Sequence, residues 1–225
     1  MKKKYNPQQT KEKILSVSAA LFAEKGYDKT SMQDIVNALE MSKGAIFHHF
    51  NSKEEVLQAV MAQQFSHVEQ EMHQRIAALD GLSAKEKLQS LLEYNLTDGQ
   101  VFKESSDIAV TMSGSPHLIL AVMQGNMKNS APILAGLLRE GIKDGSITVQ
   151  FPDQCAEVFL LLFNIWCDTY VFAADPPAVR KRFLFVQHLM RQLGADILTD
   201  QLLEQSIKFI ERLNLEVETW NKHNS

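Results

Sequence analysis

The chain has 225 residues, of which 45% are apolar and 22% charged, and its formal net charge is −4. These values fit one or two soluble domains with a sizeable core, and they argue against a chain that binds nucleic acid over its whole surface. The lysines at positions 2–4 are not followed by an apolar run, and Asn164 and Asp168 interrupt the longest apolar stretch. We therefore expect no signal peptide, no membrane span and a cytoplasmic location.

The charges are unevenly distributed along the chain. Residues 1–55 contain nine lysines and seven acidic residues, a net charge of +2, whereas the remainder has a net charge of −6. A protein that meets DNA with one end is expected to show this asymmetry. The basic arm at the start is either a solvated tail or an additional contact with phosphates or the minor groove. It consists of Lys2, Lys3, Lys4 and Lys11.

The first 55 residues contain signals for the N-termini of four successive helices. A first amphipathic helix is predicted from about Thr10 to Lys25, with Gly26 just beyond its end. A second helix can be capped by either of the hydroxyl residues at 30 and 31, and Ser42 caps a third helix of about two turns. Residues 52–55 have the pattern of a capping box that opens a fourth helix.

The second and third helices are too short to bury their apolar residues singly. Ile35, Leu39 and Ile46 become buried only if the two helices cross, which is the helix-turn-helix arrangement. The second helix of such a pair lies in the major groove of DNA, and its first residues face the base edges. In this chain those residues are Ser42, Lys43, Gly44 and Ala45, with His48 one turn further on.

Two adjoining segments, ALFAEKGYDKTSMQDI and MSKGAIFHHFNSKEEVL, closely resemble the N-terminal domain of TetR-family transcriptional regulators. The resemblance covers roughly residues 10–60 and implies an all-α fold. It implies a three-helix DNA-binding domain at residues 1–55, joined by a long helix to an effector-binding and dimerisation domain at residues 56–225. The DNA contacts implied by the resemblance and the helix positions come from Thr30, Ser31, Ser42, Lys43, Gly44, Ala45, Phe47, His48 and Lys53.

Three residues depart from the usual family pattern. Glu40 stands where the turn commonly has Gly, so a positive φ there would cost on the order of 1 kcal/mol. Val36 replaces the usual Ala, which predicts a slightly wider helix crossing. Phe47 replaces the usual Tyr, which removes a hydroxyl that often contacts phosphate in the family.

The remainder of the chain is read as helical throughout. Apolar residues at helical spacing predict a long helix from Ser52 to about Ala78, roughly 40 Å in length, which could act as a lever. Lys53 lies in its first turn, where it could hold a DNA phosphate. Pro132 is expected to end or kink the segment at residues 117–143. A final amphipathic helix is predicted at residues 199–220.

Two helices near the C-terminus are more apolar than a monomer requires. The first, from Asp153 to Ala173, is apolar almost all round, and the second, capped by Asp175, has a 4-3-4-3 apolar spacing. We expect these helices to form a homodimer interface, and the resemblance implies a four-helix bundle with the partner. The predicted interface residues are Val179, Phe183, Val186, Met190 and Leu193.

The sequence contains no recognisable catalytic, metal-binding or phosphate-binding motif. His48 and His49 are adjacent and point apart on a helix, so we predict DNA contact rather than metal binding. We expect neither a cofactor nor an enzyme. Cys155 and Cys167 are twelve residues apart on one predicted helix, roughly 18 Å, and cannot pair with each other. They are expected to be buried thiols, with an intersubunit redox disulfide as the alternative.

Aromatic and methionine side chains are frequent in the C-terminal part. They are either ordinary core residues or, as the resemblance suggests, the wall of a cavity for an apolar effector, with Asn164 and Asp168 as polar groups. The candidates are Phe65, Phe102, Met112, Met123, Met127, Phe159, Phe163, Trp166 and Tyr170.

We therefore predict a dimeric DNA-binding regulator that recognises a pseudo-palindromic operator. In the resembling family such a protein is most often a repressor, here released by an apolar small molecule. A small-molecule sequestering protein with a vestigial DNA-binding domain is the alternative. An enzyme of unknown type is disfavoured because no catalytic site is recognisable.

Overall fold

The computed structural model describes residues 6–112 and 115–224, and within these ranges the chain is helical with no strand. The helices are α1 (Pro7–Lys25), α2 (Met32–Leu39), α3 (Lys43–Phe47), α4 (Lys53–Ala78), α5 (Ala84–Thr97), α6 (Gly99–Met112), α7 (Pro116–Gly125), α8 (Ala131–Asp144), α9 (Pro152–Leu161), α10 (Pro176–Gln192) and α11 (Asp200–Asn224). Two π-helical turns, Asn126–Ser130 and Leu162–Trp166, continue α7 and α9. The predicted all-α fold is confirmed.

Helix α1 begins three residues earlier than the sequence suggested. The side chain of Asn6 accepts a hydrogen bond from the backbone N–H of Gln8 at 3.1 Å, and Pro7 occupies the first helical position. Pro is suited to that position because its missing N–H would have no partner there. The end is as expected, because Gly26 has φ +81° and stops the helix after Lys25.

The break between α7 and α8 differs from the one expected at Pro132. The backbone loosens at the π-helical turn Asn126–Ser130, and Pro132 lies in the first turn of α8. A Pro in that turn leaves few helical hydrogen bonds unmade. The departure from regular α-helix therefore precedes the proline.

The helix predicted to run as far as Ala173 is also shorter. Helix α9 passes into the π-helical turn Leu162–Trp166 and does not continue through Asp168. The carboxylate of Asp168 accepts a hydrogen bond from the backbone N–H of Tyr170 at 2.7 Å. Aspartate side chains bound to the backbone two residues ahead stabilise turns in place of helix.

The apolar residues form two clusters, and α4 takes part in both. The N-terminal cluster includes Ile14, Ile35 and Ile46 and continues along α4 as far as Met61, beyond the boundary predicted at residue 55. Leu118 of α7 packs into the same cluster. The larger second cluster is formed mainly by α5 and α8–α11. Helix α4 therefore joins the N-terminal domain rigidly to the helices that follow.

The residues predicted as the dimer interface mostly face the core of their own chain. Val179, Phe183, Val186 and Met190 are buried in the second cluster, where their own chain already covers them, and their contact with a partner stays a prediction. Of the five, only Leu193 is exposed. A regular apolar stripe shows that one face of a helix is covered, but it does not show whether the covering helix belongs to the same chain.

Both cysteines are buried and free, as expected. Burial raises the pKa of Cys155 to about 11 and the pKa of Cys167 to about 12, because a thiolate is poorly solvated there. Thiols in this state react slowly. Among the described helices, none is both long and apolar enough to cross a membrane.

Candidate DNA-reading helix and ligand cavity

Helix α2 is held against the end of α1 by polar contacts around Asp34. Ser31 caps α2 by accepting the N–H of Asp34, and the carboxylate of Asp34 accepts the N–H of Ser31 at 2.8 Å. Lys25, in the last turn of α1, pairs with the same carboxylate at 3.2 Å. The hydrogen bonds from Ser31 and Lys25 lower the pKa of Asp34 to about 2. Ser31, one of the two caps that the sequence allowed, is therefore the residue that caps α2.

The turn between α2 and α3 places α3 across α2. Glu40 adopts the left-handed conformation with φ +52°, as the family pattern implied. Ser42 then caps α3 by accepting the N–H of Ala45 at 3.3 Å. Ile46, fully buried, and Phe50 anchor the inner face of this helix. The opposite face is consequently held outward in a fixed orientation.

The outward face of α3 carries most of the residues predicted to contact DNA. Ser42, Lys43, Gly44 and His48 are exposed, and Ala45 and Phe47 are half-buried. The Nζ atom of Lys43 lies 5.4 Å from the ring centre of Phe47. A β-carbon added to Gly44 would have no neighbour within 4 Å. The chain's own packing therefore does not require glycine at position 44, but a closely approaching partner would.

Two other predicted DNA contacts have structural roles. Thr30 is 2% exposed, and its hydroxyl donates to the carbonyl of Gly26 at 2.8 Å, so it holds the turn before α2, and its contact with DNA stays a prediction. The Nζ atom of Lys53 donates to the carbonyl of Tyr27 at 2.9 Å and lies 4.2 Å from the centre of its ring. An ammonium has three hydrogens, so a phosphate contact by Lys53 stays a prediction. Ser31 is exposed beside α3 but is occupied as the cap of α2.

A cavity of about 370 Å³ lies between α4 and the C-terminal helices. Its wall along α4 extends from Met61 to Arg75, which is fourteen residue steps or roughly 21 Å of helix. Exposed residues at one side, including Gln64 and Asn95, connect it with solvent, whereas Phe183 and Ser206 are buried. A cleft of this size and mixed lining could hold a small molecule.

Only some of the residues predicted for the pocket line this cavity. Phe65, Phe159 and Phe163 are in its wall, together with the polar candidates Asn164 and Asp168. Phe102, Met123, Met127, Trp166 and Tyr170 are not among the lining residues. Phe102 instead packs edge-on against Phe209, and Trp166 against Phe185. The side chain of Met112 lies outside the described residues.

Sequence reasoning missed most of the lining from α5, α6 and α11. Those helices contribute apolar and polar residues such as Leu91, Tyr94, Ile108, Ser206 and Phe209. Their helical spacing marks an inward face, but the same spacing occurs whether that face meets another side chain or an empty volume. No signal in the sequence distinguished the two cases. Among the described residues, no group of three histidine, cysteine or acidic side chains could hold a metal ion.

The N-terminal helices match a known family of bacterial proteins. The family model for "Bacterial regulatory proteins, tetR family" matches residues 14–60, the segment that contains α2, α3 and the start of α4. The N-terminal domain belongs to the TetR family. The resemblance seen in the sequence is therefore confirmed for this N-terminal domain.

One curated relative matches this chain beyond the N-terminal domain. The transcriptional repressor KstR2 of Rhodococcus jostii is 26% identical over 153 residues, which cover 65% of this chain and 72% of that protein. Other curated relatives match over only about a quarter of their own length. KstR2 is a transcriptional repressor and not an enzyme by its name.

Solved structures show the same fold over nearly the whole chain. RolR in complex with resorcinol superposes with a TM-score of 0.58 at 21% identity, covering 89% of this chain and 94% of that one. FadR of Bacillus subtilis in complex with stearoyl-CoA superposes with a TM-score of 0.55 at 19% identity, covering 88% and 98%. At these identities the likeness establishes the fold alone.

Proposed function

We propose that this protein is a homodimeric transcriptional repressor, released from a pseudo-palindromic operator when a mainly apolar small molecule enters the cavity. The observation that carries the proposal is the position of α4. Its first half, including Val56 and Val60, is part of the core beneath α3, and its second half, from Met61 to Arg75, forms a wall of the cavity. A change in the tilt of this one helix alters both sites.

The DNA-binding part of the proposal rests on the exposed face of α3. Lys43 and His48 are exposed there, and Gly44 leaves the backbone accessible to a closely approaching surface. Reader helices of this kind enter the major groove with their first residues. In a two-fold dimer, two such helices reach successive grooves roughly 34–36 Å apart.

The dimer part of the proposal moves the interface to the outer face of α10 and to α11. Several large apolar side chains remain exposed there after the chain has folded, and exposed apolar patches commonly mark interfaces. They are Leu184 and Phe185 on α10, Leu193 at its end and Leu215 on α11, with Phe172 just before α10. This placement keeps α10, one of the two helices predicted for the interface, but uses its opposite face, and it replaces α9 by α11.

The ligand part of the proposal is supported by the cavity and by the relatives. RolR and FadR were solved with resorcinol and stearoyl-CoA, which are very different molecules held by one fold. A ligand that binds more tightly to a tilted α4 shifts the dimer toward a form whose reader helices no longer match the grooves. Typical coupling free energies of 1–3 kcal/mol reduce operator affinity by roughly 5- to 150-fold.

The test is a gel shift with the DNA upstream of the protein's own gene at several salt concentrations. A repressor should select one pseudo-palindromic sequence, and its affinity should fall as salt rises because phosphate contacts release counter-ions. Light scattering should show a dimer at micromolar concentration. If no sequence is preferred over random DNA while small molecules still bind the cavity, the sequestering protein becomes the better explanation.

A further inference from the structure

The wall of the cavity has an asymmetric charge. Among the described residues that line it, three are acidic, Glu71, Glu104 and Asp168, and one is basic, Arg75. The guanidinium carbon of Arg75 stacks 3.0 Å from the ring centre of Tyr94 and is held against the wall. An anionic ligand would meet an excess of negative charge, whereas a cationic ligand would reduce it.

Asp168 is the carboxylate most affected by burial. It is 9% exposed, and one of its oxygens accepts the N–H of Tyr170 at 2.7 Å. Burial raises its pKa to about 6, and the groups that lower it again are backbone N–H donors rather than a basic side chain. A buried carboxylate without a counter-ion is unfavourable, and a cation bound beside it would remove much of that cost.

The aromatic wall of the cavity suits the apolar part of a cationic ligand. The rings of Phe159 and Phe163 stack with their centres 5.1 Å apart, and both line the cavity together with Phe65. Aromatic faces attract cations and also pack against apolar groups. Because the wall on α4 extends over roughly 21 Å, an elongated apolar body fits better than a compact one.

We propose that the effector of this protein is an amphiphilic cation, an apolar molecule with one positively charged nitrogen that pairs with Asp168. This inference rests on the proposed ligand-responsive function and adds the chemical class of the ligand. Phe159 and Phe163 contact the apolar body, and Asp168 selects the charge.

The experiment uses three probes that share a ten-carbon tail: decyltrimethylammonium, 1-decanol and decyl sulfate. Their binding to the full-length protein is measured by titration calorimetry below the micellar concentration. The cation should bind about ten- to a hundredfold more tightly than 1-decanol, and decyl sulfate should bind more weakly than 1-decanol. Asp168→Asn should reduce binding of the cation to the level of 1-decanol. Glu157→Gln, an exposed position of α9 outside the cavity, should keep the preference.

The other outcomes contradict the inference in distinguishable ways. Equal binding of all three probes would leave the cavity as a ligand site but remove charge selection by Asp168. Tighter binding of decyl sulfate would make Arg75 the selecting residue. If no probe binds, the amphiphilic-cation inference is overturned, and the gel shift decides independently whether the protein is a DNA-binding regulator. Should Asp168→Asn not fold, the comparison of the cation with 1-decanol on the unmodified protein still decides.

Discussion

The ring of Phe65 on α4 lies directly against the backbone of Gly125 at the end of α7. A β-carbon added to Gly125 would overlap the Cε2 and Cζ atoms of this ring. Phe65 also lines the cavity, and α7 packs through Leu118 on the core of the N-terminal domain. The pair therefore connects the cavity with α4 and α7, two helices that pack into the core of the N-terminal domain.

Replacing Gly125 by alanine should push Phe65 out of position. Overpacking at such a contact costs typically 1–3 kcal/mol, and it should lower the midpoint of thermal unfolding. Gly136→Ala on α8 is the matched control, because a β-carbon there has no neighbour within 4 Å. The control should be neutral or stabilising by up to about 1 kcal/mol. Equal midpoints for the two variants would show that Phe65 relaxes freely.

Glu40→Gly should stabilise the turn between α2 and α3. Glu40 has φ +52°, a conformation that costs on the order of 1 kcal/mol for a residue with a β-carbon. Ala38→Gly, two residues earlier and inside α2, should instead destabilise by about 1 kcal/mol. Thermal unfolding of both variants measures the difference, and a change of the same sign in both would contradict the strain at Glu40.

Lys43→Ala and Lys53→Ala should differ in their effect on folding. Lys43 is exposed and forms no hydrogen bond that would hold the fold, so its loss should weaken operator binding by roughly 1–3 kcal/mol without changing the unfolding midpoint. Lys53 donates to Tyr27 and covers its ring, so its loss should also lower the midpoint. Gel shifts and thermal unfolding are measured on the same preparations. An unchanged midpoint for Lys53→Ala would remove its structural role.

Asp168 should make the stability of the ligand-free protein depend on pH. Its pKa is raised from 3.8 to about 6 in the folded chain. The contribution of this group to stability is therefore fully present below its unfolded pKa of 3.8 and is lost as the pH rises through about 6, a difference on the order of 3 kcal/mol.

The corresponding variant is Asp168→Asn, whose side-chain oxygen can still accept the N–H of Tyr170. It should unfold at a higher temperature than the unmodified protein at pH 8, and the advantage should shrink at pH 5. Glu157→Gln, exposed on α9, controls for the loss of one charge and should shift the midpoint little at either pH. An advantage of equal size at both pH values would exclude ionisation of Asp168 as its cause.

Phe185→Glu should convert the dimer to a monomer. Phe185 is 51% exposed on α10, on the face opposite the buried stripe, and a carboxylate would have to be buried there in a dimer. Phe151→Glu is the control, because Phe151 is more exposed still and lies before α9. Light scattering should show a monomer for the first variant and a dimer for the second. A dimer in both would move the interface away from α10.

The N-terminal domain could be predicted in detail because its determinants are local. Ser31, Ser42 and Ser52 cap the three helices that the sequence assigned to them, and Gly26 ends the first. Each cap is decided by residues no more than four positions away. The exposed face of α3 could be predicted from the same local pattern, because the burial of Ile46 fixes which residues of the helix remain exposed.

The structural roles of Thr30 and Lys53 could not be predicted in the same way. Both look like free polar groups in sequence, but their hydrogen-bond acceptors belong to Gly26 and Tyr27 at the end of α1. The sequence showed that Asp168 interrupts an apolar helix, but not that its carboxylate caps the turn that follows.

The sequence by itself determined the helical class, the positions of the caps and the face of α3 that remains exposed, because these depend on spacing within one or two helical turns. Only the tertiary structure decided that Val179 and Phe183 pack within their own chain and that Phe163 borders a cavity whereas Trp166 does not. An apolar stripe records that a face is removed from water. It does not record whether a helix of the same chain, a partner or an empty volume lies opposite, because all three satisfy the same hydrophobic requirement.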